Sequence, residues 1–508
     1  MSDSRTKNTR RNIVVSYGYM AFNYIFQFIS RTIINYYLGD EYLGLSSLFT
    51  SILQVLSMAE LGFSSAIVYN MYKPLADGDT EKVCALLNFY KKIYRRVGII
   101  VLVSGGIIMP FVPLLIRGSW PADINIYLVY ILYLLNTGIS YFLFSYKTSL
   151  LEAMQRMDLT RIVYLFVVIV QNVLQIIALV VFKNYYLFTI ALVLCTAIKN
   201  IFVAIVAKKK YPQYECKGYI DNHTRNDIIS RVKGLLICSI SSVTYSTFDS
   251  IIISTFIGLK TVAMYNNYIL IFSAVSNLVA TIRHAMQASV GNSVVKESVE
   301  KNYNDMLLWQ FMFSFIASFC AVCLVCLYQP FMTIWMGKNM LLPFCDIVLL
   351  AVWLCIGVVQ HSYFLYLTGN GMWWEMRWPY ICSTVCNLLT NVILGKLFGT
   401  TGIIFASLFS SLVFCLVWQS NIIFKYYFKR SSAEFLGKQL KYFLLTIPVC
   451  MVSYLLCSFI YISGIPGLIV KALITGVTAF SLLVLAYSKT EMFKKFLSFT
   501  KKALFTKH

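Results

Sequence analysis

The sequence predicts an all-α polytopic membrane protein: about fourteen transmembrane helices, arranged as two six-helix lobes plus a C-terminal helix pair. Three observations predict it. Of 508 residues, 59% are hydrophobic and only 13% charged, too little polar material to coat a soluble fold of this size. The apolar residues fall in runs of about 20 or more, the length an α-helix needs to cross hydrocarbon. Finally, a helix, a Gly turn and a second helix recur in the two halves of the chain.

The first six apolar segments lie near 13–38, 43–69, 93–117, 123–150, 161–182 and 187–207. The next six lie near 234–257, 261–290, 306–336, 343–368, 378–398 and 402–426, and the last two near 440–462 and 466–487. The first run is too long for a signal-peptide core and lacks a small-residue cleavage site, so it reads as a span entered from inside. The outside loops then begin at Gly39, Gly118, Lys183, Gly258, Gly337, Gly399 and Ser463. They are short and hold few cations, chiefly Lys183, Lys260 and Lys338, with Arg117 at one edge. The alternate loops carry Arg5-Lys7-Arg10-Arg11, Lys91-Lys92 with Arg95-Arg96, Lys208-Lys209-Lys210, Lys425-Lys429-Arg430 and Lys494-Lys495. This asymmetry places both termini in the cytoplasm.

The repeat sets the domain organisation. Ser30-Arg31-Thr32-Ile33-Ile34, Leu38-Gly39 and Leu43-Gly44 match Asp249-Ser250-Ile251-Ile252-Ile253, Ile257-Gly258 and Val262-Ala263 at equal offsets. Asn172, Leu187 and Ala191 likewise follow Asn387, Gly402 and Ala406. The expected lobes are 1–215 and 216–430, with 431–508 holding spans thirteen and fourteen and a cytoplasmic tail. That any two apolar helix pairs would align so well remains an open alternative.

Several function classes are excluded or disfavoured. The net charge of +22 is spread over separate loops, with no basic face that has a fold of its own, so nucleic acid is not a partner. Gly337-Lys338, Gly395-Lys396 and Gly437-Lys438 all fail the phosphate-loop pattern, so no nucleotide-driven motor is built in. A membrane-embedded polysaccharide polymerase or glycosyltransferase normally carries catalytic carboxylates on a long outer loop; the short outer loops expected here disfavour that class but leave it as the alternative to transport. Cys320, Cys323 and Cys326 sit in an apolar run without His or carboxylate nearby, so no metal or other cofactor is expected.

Ionisable residues inside spans are the site candidates, since each costs about 2.5–3.5 kcal/mol at a helix centre. Arg31 in span one and Asp249 in span seven lie about two turns from the outer ends of their helices. Arg31 suits an anionic phosphate, with Asp249 as resting partner or coupling site; a purely structural ion pair is the alternative. Glu60 in span two binds a cation or pairs with a neighbouring helix. Lys199 in span six and Arg283 with His284 in span eight lie nearer the inner end, placed to receive an anionic headgroup or to snorkel. His361 reads as an interhelical hydrogen-bond partner. Gln27, Gln54, Asn136, Asn172, Gln175, Asn200, Asn266, Asn267 and Asn277 either line a wet cavity or bond helix to helix. Trp373, Trp374 and Trp378 read as interfacial belt residues.

The run Tyr37-Leu38-Gly39-Asp40-Glu41-Tyr42-Leu43-Gly44-Leu45 after Arg31 resembles the first hairpin of Wzx-type polysaccharide flippases. Met58-Ala59-Glu60-Leu61-Gly62-Phe63-Ser64-Ser65-Ala66 resembles their second span. Those flippases belong to the multidrug/oligosaccharidyl-lipid/polysaccharide exporter superfamily. The resemblance implies a non-enzymatic transporter of the bacterial cytoplasmic (inner) membrane that alternates between inward-open and outward-open forms. Its implied substrate is an undecaprenyl-pyrophosphate-linked oligosaccharide, destined for O-antigen lipopolysaccharide, capsule or exopolysaccharide. Membrane lipid, a polysaccharide polymerase and a chain-length regulator are the implied partners. By the same resemblance Arg31 and Arg283 stand broadly where the related lipid II flippase handles pyrophosphate, although Ser30 replaces a second ionisable residue. Spans thirteen and fourteen match that relative's extra helix pair, which either flanks a lipid tail or acts as scaffold. Lipid II flipping and multidrug export are the rival readings within the superfamily.

Overall fold

The computed structural model describes residues 2–60, 63–144 and 146–505, and among them it is helical with no strand. Leu61 and Gly62 of the second-span motif lie outside the described residues, as do the side chains of Ala59, Ser64, Ser65 and Ala66 and those of the first ten residues. The chain divides into two compact units, Met1–Ala263 and Met264–His508.

Unit one holds α1 (Ser2–Tyr37), α2 (Asp40–Leu56), α3 (Phe63–Asp77), α4 (Thr80–Ile108), α5 (Ile126–Phe142) and α6 (Tyr146–Ala153). It continues with α7 (Met157–Val180), α8 (Tyr185–Lys210) and α9 (Asn222–Phe256). The start of α10 (Leu259–Lys296) also belongs to it; the rest of that helix lies in unit two. Unit two adds α11 (Val299–Trp335), α12 (Phe344–Gly369), α13 (Arg377–Ser410) and α14 (Gln419–Ile423), the last between π-helical Ser411–Trp418 and Phe424–Phe428. It ends with α15 (Ala433–Ser458), α16 (Gly464–Tyr487) and α17 (Glu491–Phe505).

Predicted spans three, five, six and eight to fourteen lie on long apolar helices. Span four lies on the bent pair α5 and α6, span two on α2 and α3, and spans one and seven on α1 and α9. Nine helices among the described residues are long and apolar enough to cross a membrane, or ten if α5 and α6 count as one. One of the nine, Arg377–Phe428, contains predicted spans eleven and twelve, reversing at Gly399 where φ is +62°. The other expected outer turns also use a left-handed residue: Gly39, Gly118, Lys183, Gly258, Gly337 and Gly464. Short helix-to-helix links need such a residue, and glycine adopts it without a Cβ clash.

The repeated turn is reproduced in detail. The amides of Leu38 and Gly39 both bond to the Ile34 carbonyl, at 2.9 and 3.1 Å. Those of Ile257 and Gly258 both bond to the Ile253 carbonyl, at 2.8 and 3.0 Å. Ile34 and Ile253 are the paired residues of the sequence alignment, so backbone geometry fixes the same register.

Three expectations change. Span two is not one helix: α2 ends in a 3-10 turn, Ser57–Glu60, and α3 starts again at Phe63. Hydropathy averages across such a break and cannot see it. Span three begins at Thr80 rather than near residue 93: its first turns bury the short run Val83 to Leu87, and the charges on either side, exposed Glu81 and Lys82 before it and Lys92 after it, hide that run from hydropathy. The expected tail forms α17, whose Phe493 and Phe496 rings meet Phe311 of α11 at 6.2 and 6.0 Å.

Within unit two, α15 and α16 pack along α11. Gln310 donates to the Phe435 carbonyl at 2.8 Å, Ser314 to Gln439 at 2.9 Å, and Ser318 shares a 2.6 Å bond with Thr446. Buried polar groups satisfied in this way fix how the helices are turned toward one another.

Candidate functional site

In unit one, α1 presents Arg31 half-buried, and its guanidinium donates to Ser47 Oγ on α2 at 3.2 Å. Helix α2 also lies against the α9–α10 turn: Gly44 approaches the Leu259 backbone so closely that an added Cβ would fall 2.0 Å from its carbonyl oxygen. Asp249 is on α9 and fully buried. Arg31 and Asp249 are thus carried by helices that both bear on α2. Near Arg31, Gln27 of α1 and Thr50 and Gln54 of α2 are exposed at span depth. An amide left in hydrocarbon is penalised, so this polar stripe requires water beside it.

Glu60 closes the 3-10 turn that interrupts span two, and Tyr94 of α4 donates its hydroxyl to the carboxylate. The Tyr94 ring lies 4.5 Å from Tyr90 and 5.5 Å from Tyr141, so the carboxylate is set in a tyrosine cluster. Lys199 of α8 points its ammonium over the Tyr164 ring at 5.2 Å. Arg161 lies 5.1 Å over Tyr19, joining α7 to α1. The Lys199 contact is a cation–π interaction between helices, which holds the charge without neutralising it.

In unit two, Arg283 and His284 are neighbours on α10, with Arg283 Nη2 3.1 Å from His284 Nε2. The Arg283 guanidinium lies 4.8 Å over Phe364 of α12. His284 and Asn277 are exposed on the same helix. His361 meets Phe313 ring-to-edge at 5.5 Å, a helix-to-helix contact. Of the amides, Gln175 reaches the Phe188 carbonyl at 3.5 Å and Asn172 bonds back to Val168 at 2.8 Å. The amides therefore divide: Gln27, Gln54 and Asn277 are exposed, while Asn172, Gln175, Asn200 and Asn267 are buried.

Two buried carboxylates escaped sequence reasoning. Asp158, at the start of α7, is 2.8 Å from Arg11 Nε and 2.9 Å from Arg156 Nε, and its amide donates to Asn12 at 2.9 Å. The hydrogen bond to Asp158 holds the Arg156 guanidinium above its ordinary pKa. Asp346, at the start of α12, accepts from Thr400 at 2.9 Å and Thr401 at 2.5 Å, pinning the link that follows Gly399. Carboxylates in the first turn of a helix were the available signal; their partners lie too far along the chain to be paired by spacing. Among the described residues no group of His, Cys, Asp and Glu is arranged to hold a metal ion.

Nine helices long and apolar enough to cross a membrane among the described residues define a polytopic membrane protein, with ionisable side chains packed between its helices. A family model described as "Polysaccharide biosynthesis protein" matches residues 9–287, and the chain belongs to that family. No curated protein sequence matches the chain. Among solved structures it is similar to the lipid II flippase MurJ in an inward closed conformation, with a TM-score of 0.69 at 14% identity. That match covers 94% of this chain and 99% of the other. An inward-facing multidrug resistance MATE family transporter of the MOP superfamily matches with a TM-score of 0.63 at 14% identity, covering 78% and 94%. The Vibrio cholerae MATE transporter VcmN in the bent form matches at 0.53 and 12% identity, covering 84% and 98%. The chain therefore has the fold of that superfamily, as the sequence resemblance implied.

Proposed function

We propose that the protein is a flippase that carries an undecaprenyl-pyrophosphate-linked oligosaccharide from the inner to the outer leaflet of a bacterial cytoplasmic membrane. One observation carries the reading: half-buried Arg31, bonded to Ser47, stands with exposed Gln27, Thr50 and Gln54 on α1 and α2. Such a set suits a substrate with an anionic pyrophosphate and many hydroxyls, whose tail remains in lipid. The family description, which concerns polysaccharide biosynthesis, favours this substrate over lipid II or drugs. Product use in O-antigen, capsule or exopolysaccharide, and partnership with a polymerase and chain-length regulator, belong to the same proposal.

In this reading residues 1–215 and 216–430 act as lobes that rock between inward-open and outward-open forms, with both termini cytoplasmic. The headgroup is received near Lys199, Arg283 and His284, then passed to Arg31. Asp249 and Glu60 are the carboxylates available to a coupling cation. No bond in the substrate is made or broken, so the proposal needs no catalytic residue. Binding biases the lobes only as far as affinity differs between their two states.

The test is export. Arg31→Ala should abolish surface polysaccharide in cells that depend on this protein, with membrane protein levels unchanged. Arg31→Lys should retain part of the activity, since a point charge replaces a planar fork. Full export by Arg31→Ala would end the phosphate assignment.

A further inference from the structure

We infer that unit two carries a binding site for the phosphorylated headgroup of a membrane lipid where α13 begins, separate from the residues assigned above to the transported substrate. The site is a cavity of about 530 Å³ between the first turn of α13 and the α14 region. That volume lies within the roughly 300–1,000 Å³ typical of small-ligand pockets.

Its walls have the chemistry of a lipid headgroup site. Trp374, Trp378, Trp418 and Tyr426 line it, and all four are exposed, all but Trp418 by more than half. Large aromatics with one wet edge settle at headgroup depth. Between them stand Arg377 and Lys425. Arg377 is held in place: it donates to the Trp374 carbonyl at 2.7 Å and lies 4.5 Å over the Trp374 ring. Lys425 lies 5.6 Å from the Tyr426 ring centre. Glu375 is the one carboxylate in the lining, so the two cations leave a surplus positive charge for a phosphate.

Two further observations point to an occupant. The far wall is built from widened helix: Trp418 ends one π-helical segment, and Lys425 and Tyr426 lie in the next. Such segments are uncommon, frequently mark functional sites, and here place Trp418, Lys425 and Tyr426 around the opening. From the cavity an exposed apolar stripe then climbs α13 through Ile381, Val385, Leu389 and Val392, at spacings of four and three residues. It forms one continuous helix face, a track for an acyl or prenyl chain whose phosphate sits at Arg377 and Lys425. Trp378 stands where headgroup and chain meet.

The test uses the full-length protein in detergent and native mass spectrometry with three probes: phosphatidylglycerol, phosphatidylcholine and undecaprenyl phosphate. Wild type should retain phosphatidylglycerol about ten-fold more than phosphatidylcholine, and R377Q/K425Q should lose that preference. The conservative pair R377K/K425R should keep it, which separates loss of charge from loss of fold. If undecaprenyl phosphate displaces phosphatidylglycerol and depends on the same two cations, the polyprenyl carrier is the natural source of the phosphate; if not, bulk phospholipid is. Equal retention of phosphatidylglycerol and phosphatidylcholine by wild type, or an unchanged preference in R377Q/K425Q, would overturn the site. Neither result depends on whether the protein flips lipid-linked sugars.

Discussion

At the scale of single residues, Asp158 shows how few charges hold an otherwise apolar assembly. It is almost fully buried, and two guanidiniums and an asparagine from α1 and the α7 cap converge on it. Arg156 is mostly covered, whereas Arg11 is 39% exposed, so solvent screens that half of the cluster. Removing the shared charge leaves partly buried Arg156 without its ionic partner, a loss of about 1.5–3 kcal/mol for a hydrogen bond to a charged group. Asp158→Asn should therefore lower the melting temperature in detergent clearly, and Arg11→Gln only slightly. An unchanged melting temperature for Asp158→Asn would mean the cluster is incidental. Arg31 differs in kind, for it stands beside exposed amides, and its loss is expected to appear in export rather than in stability.

At the scale of elements, close approach decides which substitutions matter. A methyl group at Gly44 would meet the Leu259 backbone, which cannot step aside as a side-chain tip can. Gly44→Ala should cost about 1–3 kcal/mol by overpacking, and α2 must move off the α10 start. Gly106→Ala is the control, because nothing lies within 4 Å of its would-be Cβ. There the higher helix propensity of Ala should leave stability unchanged or raised by up to about 1 kcal/mol. If both variants melt alike, the tight contact is not a constraint. The same elements mark what the sequence could reveal. The Gly39 and Gly258 turns were legible, because a link of a few residues must begin with a left-handed conformation and glycine announces it. The break after Leu56 and the helix in the tail were not, since a four-residue 3-10 turn is averaged into the apolar run around it and α17 is amphipathic rather than apolar throughout. The candidate site was legible as a set of charges set in apolar runs: Lys199, Arg283 and His284 lie on helices long and apolar enough to cross a membrane, while Glu60 falls in the 3-10 turn that ends α2. What surrounds them came from the fold alone: Ser47 beside Arg31, Tyr94 on Glu60 and Phe364 under Arg283 come from helices whose register no local pattern encodes.

At the scale of the whole molecule the open quantity is the driving force. Any headgroup that leaves a negative-inside compartment with a net negative charge gains about 2.3 kcal/mol per charge for each 100 mV. For one net charge this amounts to at most about a fifty-fold change in rate, if the charge crosses the full potential in the limiting step. A cation moving the other way on Asp249 or Glu60 would add to the charge transferred and steepen the response. A cation or proton leaving with the headgroup would flatten it. Vesicles containing the purified protein and fluorescent lipid-linked oligosaccharide, held at zero and at about 100 mV by a potassium gradient with valinomycin, separate these cases. The expected result is faster transfer from the negative side, with a voltage dependence reduced in the Asp249→Asn or Glu60→Gln variant, whichever residue carries the coupled cation. Transfer at the same rate with and without the potential, in wild type and both variants, would mean that net charge does not move with the sugar. The substrate's own gradient would then be the sole source of direction, and the two carboxylates would be structural.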